Sequence, residues 1–219
     1  MPTIRTPHTT ILIDPNATHA AEVGQTPHAL GLNLSWNKAE QEAVERTLAK
    51  YPADRSRSAT IPLLHLAQRK CGGWLPVDAM QLVADTLSLP YIRVYEVATF
   101  YTMFNLKPVG KFHVQVCTNC ACLIRGSDAI VGAVKEVSGI DHNGETSEDG
   151  QFTLTEVECL GACVQAPMMQ IGTHYYTHLT AEKTKEILAH LAKGGDPATF
   201  SSTEPTKDAD PIHNGKYGA

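Results

Sequence analysis

The feature that most constrains this chain is a concentration of cysteines in its second half. Five of the six cysteines lie between Cys117 and Cys163, in the segments VCTNCAC and EVECLGAC. Each segment follows a run of alternating apolar residues, which is typical of a β-strand, and leads into a loop of small residues. Two such strand-to-loop junctions can bring thiolates from distant parts of the chain to one site.

The spacing of these cysteines favours an iron–sulphur cluster. Cys117 and Cys122 form a C-x4-C pair, and Cys159 and Cys163 form a C-x3-C pair further along the chain. A two-iron cluster takes two sulphurs at each iron, and C-x4-C spacing also opens the plant ferredoxin motif. Structural zinc sites more often use closer pairs. Small loop residues leave backbone N–H groups free to offset the negative charge of such a cluster.

Two other interpretations use the same residues. Four thiolates can bind a structural zinc ion. Cys117 and Cys120 also form a C-x-x-C after a predicted strand, the signature of a thiol–disulfide site, although this leaves Cys159 and Cys163 without a role. Cys120 is therefore open between a spare loop thiol and a ligand. Cys71 follows a predicted helix, and we expect it to be a packed thiol.

Composition and charge exclude several classes of protein. The chain has 219 residues and a net charge of −5, with no basic stripe of the kind that binds nucleic acid. We find no signal peptide and no apolar run of about 20 residues, the length of a membrane span. We therefore expect an intracellular, soluble protein with no direct membrane insertion. In a reducing compartment, clustered cysteines are typically metal ligands or redox groups.

Hydrophobic periodicity predicts two domains of different class, an α+β or α/β fold overall. Residues 34–107 carry four short segments with helical spacing, which predict a four-helix bundle. Residues 108–193 show a strand–helix–strand order followed by a hairpin and a helix, which predicts a thioredoxin-like domain. We interpret residues 1–33 as a flexible leader and residues 194–219 as a disordered tail. His113 alternates with the apolar positions of the first strand and is expected to face solvent.

Longer segments of the chain resemble the small iron–sulphur subunit of respiratory complex I, the NADH:quinone oxidoreductase. The resemblance covers about residues 37–193. It is carried by the segments PLLHLAQRKCGGWLP, YEVATFYTMFNLKPVGK, HVQVCTN, EVECLGACVQAPMMQIG and YYTHLT. The sequence departs from the family at Cys120, where another residue type is expected.

The resemblance implies a helical bundle, a thioredoxin-like domain and one 2Fe–2S cluster. On the matching positions, the cluster ligands would be Cys117, Cys122, Cys159 and Cys163. It also implies docking against a flavoprotein subunit that binds FMN and NADH, within the peripheral arm on the cytoplasmic side of the bacterial inner membrane. The cluster would exchange one electron with that flavin. The chain would be part of an enzyme without holding a complete catalytic site.

Other functions remain open at the level of sequence. A similar module serves soluble NAD-linked formate dehydrogenases and hydrogenases, and a stand-alone thioredoxin-like ferredoxin is a further alternative. The chain has no glycine-rich phosphate loop and no Walker lysine, the sequence signatures of nucleotide binding. The absence of these motifs favours an electron-transfer protein that works beside a catalytic partner.

Overall fold

The computed structural model describes residues 30–203 together with two short strands near the N-terminus. Strand β1 (Thr3–Thr6) pairs antiparallel with β2 (Thr9–Leu12). We interpreted residues 1–33 as a leader. Apart from these two strands, its residues up to residue 29 lie outside the described part of the chain. The chain divides into two compact units, with the boundary between Pro108 and Val109. No helix of the described part has both the length and the apolar composition needed to cross a membrane.

The first unit contains the four helices that periodicity predicts. They are α1 (Lys38–Leu48), α2 (Thr60–Lys70), α3 (Val77–Leu87) and α4 (Tyr91–Phe100), with a 3-10 helix at Ala53–Ala59 before α2. The side chain of Asn37 accepts a hydrogen bond from the Glu40 N–H, and the Glu40 carboxylate accepts one from the Asn37 N–H. This capping box satisfies two donors at the start of α1.

One apolar core joins these helices. Leu63 and Leu64 of α2 are fully buried, as are Met80 and Val83 of α3 and Val94 of α4. Burial of side chains of this size contributes about 1.5–3 kcal/mol each relative to exposure. The four helices therefore pack around a single set of side chains.

Cys71 belongs to this core, which confirms its prediction as a packed thiol. It follows α2 and is completely buried. Burial raises the pKa of the Cys71 thiol to about 12. The thiol is therefore neutral at physiological pH and packs as a small apolar side chain.

The second unit is a four-stranded sheet with helices between its strands. Its elements are β3 (Phe112–Cys117), α5 (Cys120–Ile124), α6 (Ser127–Ser138), β4 (Phe152–Val157), β5 (Met169–Ile171), β6 (His174–Tyr176) and α7 (Ala181–Ala192). The strand order is β4-β3-β5-β6, and only the β3–β4 pair is parallel. Because parallel strands end at the same edge, the segments that follow β3 and β4 start side by side.

The backbone at Gly110, just before β3, lies very close to the backbone of β4. A Cβ atom at this position would lie 2.9 Å from the backbone carbonyl carbon of Phe152. The Gly110 N–H donates a 2.6 Å hydrogen bond to the Thr153 hydroxyl. Cys117, the last residue of β3, then lies opposite Val157, the last residue of β4.

The segment after α7 corrects one prediction from composition. Disorder was expected from residue 194, but Pro197–Phe200 form a 3-10 helix, and Phe200 packs against the core of the second unit. The Tyr176 hydroxyl donates to the Pro197 carbonyl at 2.8 Å, and the Ser202 N–H donates to the Tyr175 carbonyl at 2.7 Å. Residues 197–203 are held in place because the segment packs an aromatic ring against the core and bonds to an edge strand. Residues 204–219 lie outside the described residues.

Candidate iron–sulphur site

Two loops at one end of the sheet bring four cysteines together. Cys117 ends β3 and Cys122 lies in α5, whereas Cys159 follows β4 and Cys163 begins a 3-10 helix. The sulphurs of Cys159 and Cys163 are 3.3 Å apart. Cys117 and Cys122 lie in one small buried cluster, and Cys163 is close enough to both for their charges to interact. The two pairs identified by spacing therefore face one another.

The two pairs differ in exposure. Cys117 and Cys122 are buried against Ala166 and Met168, whereas Cys159 and Cys163 are exposed. One side of the site is therefore buried within the domain, and the other side is open to solvent.

Backbone N–H groups point at the sulphurs, as a negatively charged cluster requires. The Gly161 N–H donates a 3.4 Å hydrogen bond to the Cys159 sulphur. Gly161 adopts a φ of +83°, a left-handed conformation that favours glycine. The Met168 backbone acts to lower the pKa of the Cys122 thiol, as an N–H group near the sulphur does.

The pKa values of the thiols reflect these surroundings. Burial, and then the hydrogen bond with Cys117, raises the pKa of Cys122 to about 11. The hydrogen bond with Cys159 raises the pKa of Cys163. The pKa of Cys159 is lowered, first by the Gly161 N–H and then by the hydrogen bond with Cys163, while the Glu158 carboxylate acts in the opposite direction.

The four thiols are suited to binding positively charged metal ions. Crowded thiols resist the loss of a second proton because the resulting thiolates repel one another. Bound iron removes this penalty, since a metal-coordinated thiol is deprotonated outright. Across the described residues, no group of three or more His, Cys, Asp or Glu side chains has the geometry for a single metal ion. The observed arrangement is two pairs of thiols, which is the donor pattern of a two-iron cluster.

Cys120 lies in the same loop but is placed differently. It is exposed and opens α5, and its N–H is capped by the side chain of Asn119 at 2.7 Å. Cys117 and Cys122 lie in one buried cluster that does not include Cys120, and the sulphur–sulphur hydrogen bond found in the described part of the chain joins Cys159 to Cys163. The geometry therefore favours a spare loop thiol at Cys120.

Two contacts that hold the second cysteine loop were not predicted from the sequence. The Asn119 side-chain amide donates to the Glu158 carboxylate, which links the two cysteine loops. The Tyr175 hydroxyl donates to the Leu160 carbonyl oxygen at 2.9 Å. Neither contact follows a helical or strand period. The only sequence signal was the position of Asn119 and Glu158 next to cysteines.

The prediction that His113 faces solvent is wrong. Its ring is half-buried and hydrogen-bonded to the Thr155 hydroxyl of β4 at 2.8 Å. Burial lowers the pKa of His113 to about 4. His113 lies on β3, a central strand of the sheet. Its side chain can therefore be covered by a residue of the neighbouring strand β4, here Thr155.

The fold and the cysteine loops define a thioredoxin-like redox domain. Residues 44–192 match the family of thioredoxin-like [2Fe-2S] ferredoxins. The chain belongs to this family, and the predictions of a thioredoxin-like domain and of one 2Fe–2S cluster are thereby confirmed.

The chain is also similar to curated relatives along most of their length. It is 54% identical over 159 residues to the E subunit of NADH-quinone oxidoreductase from Rickettsia bellii, and the match covers 73% of this chain and 95% of that protein. Identity to the protein of the same name from Rickettsia conorii is 53%, with the same coverage. These matches confirm the resemblance found in the sequence.

A solved structure supports the fold. A chain of an NAD+-reducing [NiFe]-hydrogenase in the air-oxidized state superposes with a TM-score of 0.56 at 18% identity. The match covers 65% of this chain and 26% of the hydrogenase chain. At this identity the similarity concerns the fold alone.

Proposed function

We propose that this chain is the electron-transfer subunit of an NADH:quinone oxidoreductase. In this proposal Cys117, Cys122, Cys159 and Cys163 bind one 2Fe–2S cluster. The observation that carries the proposal is that two pairs of cysteines follow the adjacent parallel strands β3 and β4: Cys117 and Cys122 lie in one buried cluster, and the sulphurs of Cys159 and Cys163 are 3.3 Å apart. The identity of 54% and 53% to two NADH-quinone oxidoreductase subunits supports the assignment to this class of enzyme.

The residues of the chain divide the work at this site. The cluster supplies the capacity to accept and release one electron. Cys117 and Cys122 anchor it from the buried side, where Met168 and Ala166 exclude water. The N–H groups of Gly161 and Met168 stabilise the negative charge on the sulphurs. Cys159 and Cys163 leave one side of the site open to a partner.

The electron partner in this proposal is the flavoprotein subunit that binds FMN and NADH. Two apolar side chains near the cysteines in the chain are strongly exposed: Ile124, two residues after Cys122, is 86% exposed, and Val164, directly after Cys163, is 92% exposed. Exposed apolar side chains beside a redox group are suited to the core of a protein–protein interface. The assembly would be the peripheral arm of the complex, on the cytoplasmic side of the membrane.

The proposal includes a domain organisation. We infer that residues 34–107 form a four-helix bundle and that residues 108–193 form the iron–sulphur domain. The shared core of α1–α4 and the division of the chain between Pro108 and Val109 support this interpretation. Residues 1–33 would be a leader, and residues 194–203 would belong with the iron–sulphur domain rather than with a disordered tail.

The alternative assemblies are distinguishable by their partners. A subunit of an NAD-linked hydrogenase or formate dehydrogenase would co-purify with the nickel or molybdenum subunit of that enzyme. A diffusing ferredoxin would purify alone. Affinity purification of the chain at its native expression level, followed by mass spectrometry, separates these outcomes. Recovery with a flavoprotein and quinone-reducing subunits is the expected result.

The cluster itself is tested by analysis of freshly prepared anaerobic protein. We expect about two iron and two sulphide ions per chain, and an EPR signal after reduction. Serine at any of the four proposed ligands should abolish or alter the signal, whereas serine at Cys71, which is buried in the other unit, should leave its g-values unchanged. Zinc without sulphide would overturn the proposal.

A further inference from the structure

A hydrogen-bonded pair outside the proposed ligand set joins the two cysteine loops. The side-chain amide of Asn119 donates to the carboxylate of Glu158. Asn119 lies between Cys117 and Cys120, and Glu158 directly precedes Cys159. The contact therefore spans the two segments that must stay aligned if both are to bind one cluster.

Both polar atoms of the Asn119 side-chain amide make hydrogen bonds. Its Oδ1 accepts a 2.7 Å hydrogen bond from the Cys120 N–H and caps α5, while its Nδ2 bonds to Glu158. An asparagine is suited to this arrangement because its amide offers an acceptor and a donor on one rigid plane. Aspartate would keep the cap but would lose the donor and repel Glu158. The two hydrogen bonds, to the Cys120 N–H and to Glu158, together determine the orientation of the Asn119 side chain.

The second loop has few regular hydrogen bonds of its own. It leaves β4 at Val157 and reaches a 3-10 helix of three residues only at Cys163. Cys159 and Cys163 are both exposed, so burial of their own side chains does not fix their positions. A side-chain contact from the first loop can therefore determine where the second pair of sulphurs lies.

We propose that Asn119 and Glu158 are positioning residues that hold the two cysteine loops in register and place one negative charge beside Cys159. The inference rests on the proposed binding of a 2Fe–2S cluster by the four cysteines. Its first consequence is mechanical: loss of the pair lets the loops separate and the cluster escape. Its second is electrostatic, since a carboxylate close to the cluster disfavours the added electron.

Three variants separate these consequences. N119S keeps a capping oxygen for α5 but loses the donor to Glu158. E158A removes both the bond and the charge. E158Q keeps an oxygen that accepts from Asn119 but removes the charge. Glu156 is an exposed glutamate two positions earlier on β4, and E156Q is the matched control for charge alone.

The first measurement is the rate at which a chelator bleaches the full-length, cluster-loaded protein. We expect N119S and E158A each to raise the rate on the order of threefold, in line with an exposed hydrogen bond to a charge. The double variant N119S/E158A should be no faster than either single variant, and E158Q should remain close to the wild type. Rates that multiply in the double variant would show that the two residues act independently and would overturn the proposal.

The second measurement is the midpoint potential, followed by EPR during a redox titration. E158Q should shift the reduction equilibrium about threefold towards the reduced form, which corresponds to ~28 mV at ~59 mV per tenfold change. E156Q should shift it less. Equal shifts in the two variants would show that Glu158 has no special place beside the cluster. If the wild-type chain assembles no 2Fe–2S cluster at all, the proposed function fails, and this outcome is distinct from a failure of the pair.

Discussion

The hydroxyl of Tyr175 donates a 2.9 Å hydrogen bond to the carbonyl oxygen of Leu160. Tyr175 belongs to β6, the edge strand of the sheet, and Leu160 directly follows Cys159. This bond connects the second cysteine loop to β6, a strand that comes later in the sequence. The tyrosine also packs against the buried cluster that contains Cys117, Cys122, Ala166 and Met168.

The variant Tyr175→Phe should loosen the second cysteine loop without disturbing the core. It removes one hydrogen bond, worth about 1 kcal/mol, and keeps the ring. We expect cluster release to chelator about fivefold faster than in the wild type, with circular dichroism unchanged. A release rate equal to that of the wild type would show that Leu160 is held by other contacts. Tyr51→Phe in the first unit is a matched control, because it removes the same hydroxyl group at a position distant in sequence from the four proposed ligands.

The variant Cys120→Ser should retain the cluster. Cys120 is exposed and lies outside the buried cluster that contains Cys117 and Cys122, and the sulphurs of Cys159 and Cys163 contact each other. Serine is also well tolerated at the start of a short helix. We expect the EPR g-values and the iron content of the reduced protein to match the wild type. Loss of the signal would mean that Cys120 replaces Cys122 or Cys117 as a ligand.

The stability of the protein should depend on pH through His113. Burial lowers its pKa to about 4 from an ordinary value of 6.5, so the unfolded chain binds the proton more readily than the folded one. Stability is therefore fully present above pH 6.5 and is lost as the pH falls towards 4. Between pH 7.5 and pH 5 this amounts to at most about 2 kcal/mol.

Urea unfolding at these two pH values measures the effect. The variant His113→Gln has no titrating ring and keeps a polar group beside Thr155. Its free energy of unfolding should fall less than that of the wild type over the same interval. Parallel pH dependences in the two proteins would assign the loss of stability to other groups.

Two glycine substitutions should act in opposite directions. Alanine at Gly110 would place its Cβ 2.9 Å from the backbone of Phe152 and 3.0 Å from the Gly150 carbonyl oxygen. We expect a loss of about 1–3 kcal/mol because β3 and β4 must separate. Alanine at Gly132, an exposed position inside α6 with open space around it, should stabilise the helix by about 0.5–1 kcal/mol. Thermal unfolding of the two variants checks both signs.

The regular elements could be predicted because their signals are local. Asn37 and Glu40 cap α1 within one turn, and Pro76 and Pro90 directly precede α3 and α4. The segment after residue 194 could not be predicted in the same way. Its composition indicates disorder, but Phe200 finds an apolar partner in a core assembled from distant residues. His113 was misplaced for a related reason, since its cover comes from Thr155 on a neighbouring strand.

The amino-acid sequence by itself determined which donors are available to the proposed site: four thiols in two pairs, each after a strand, in a chain whose segments identify its family. This was possible because ligand type and spacing are properties of the linear chain. Only the tertiary structure decided which sulphurs are buried, which N–H groups reach them, and how Asn119, Glu158 and Tyr175 hold the second loop. These contacts join residues far apart in the chain, so they arise only when the parallel strands bring the two loops to one edge.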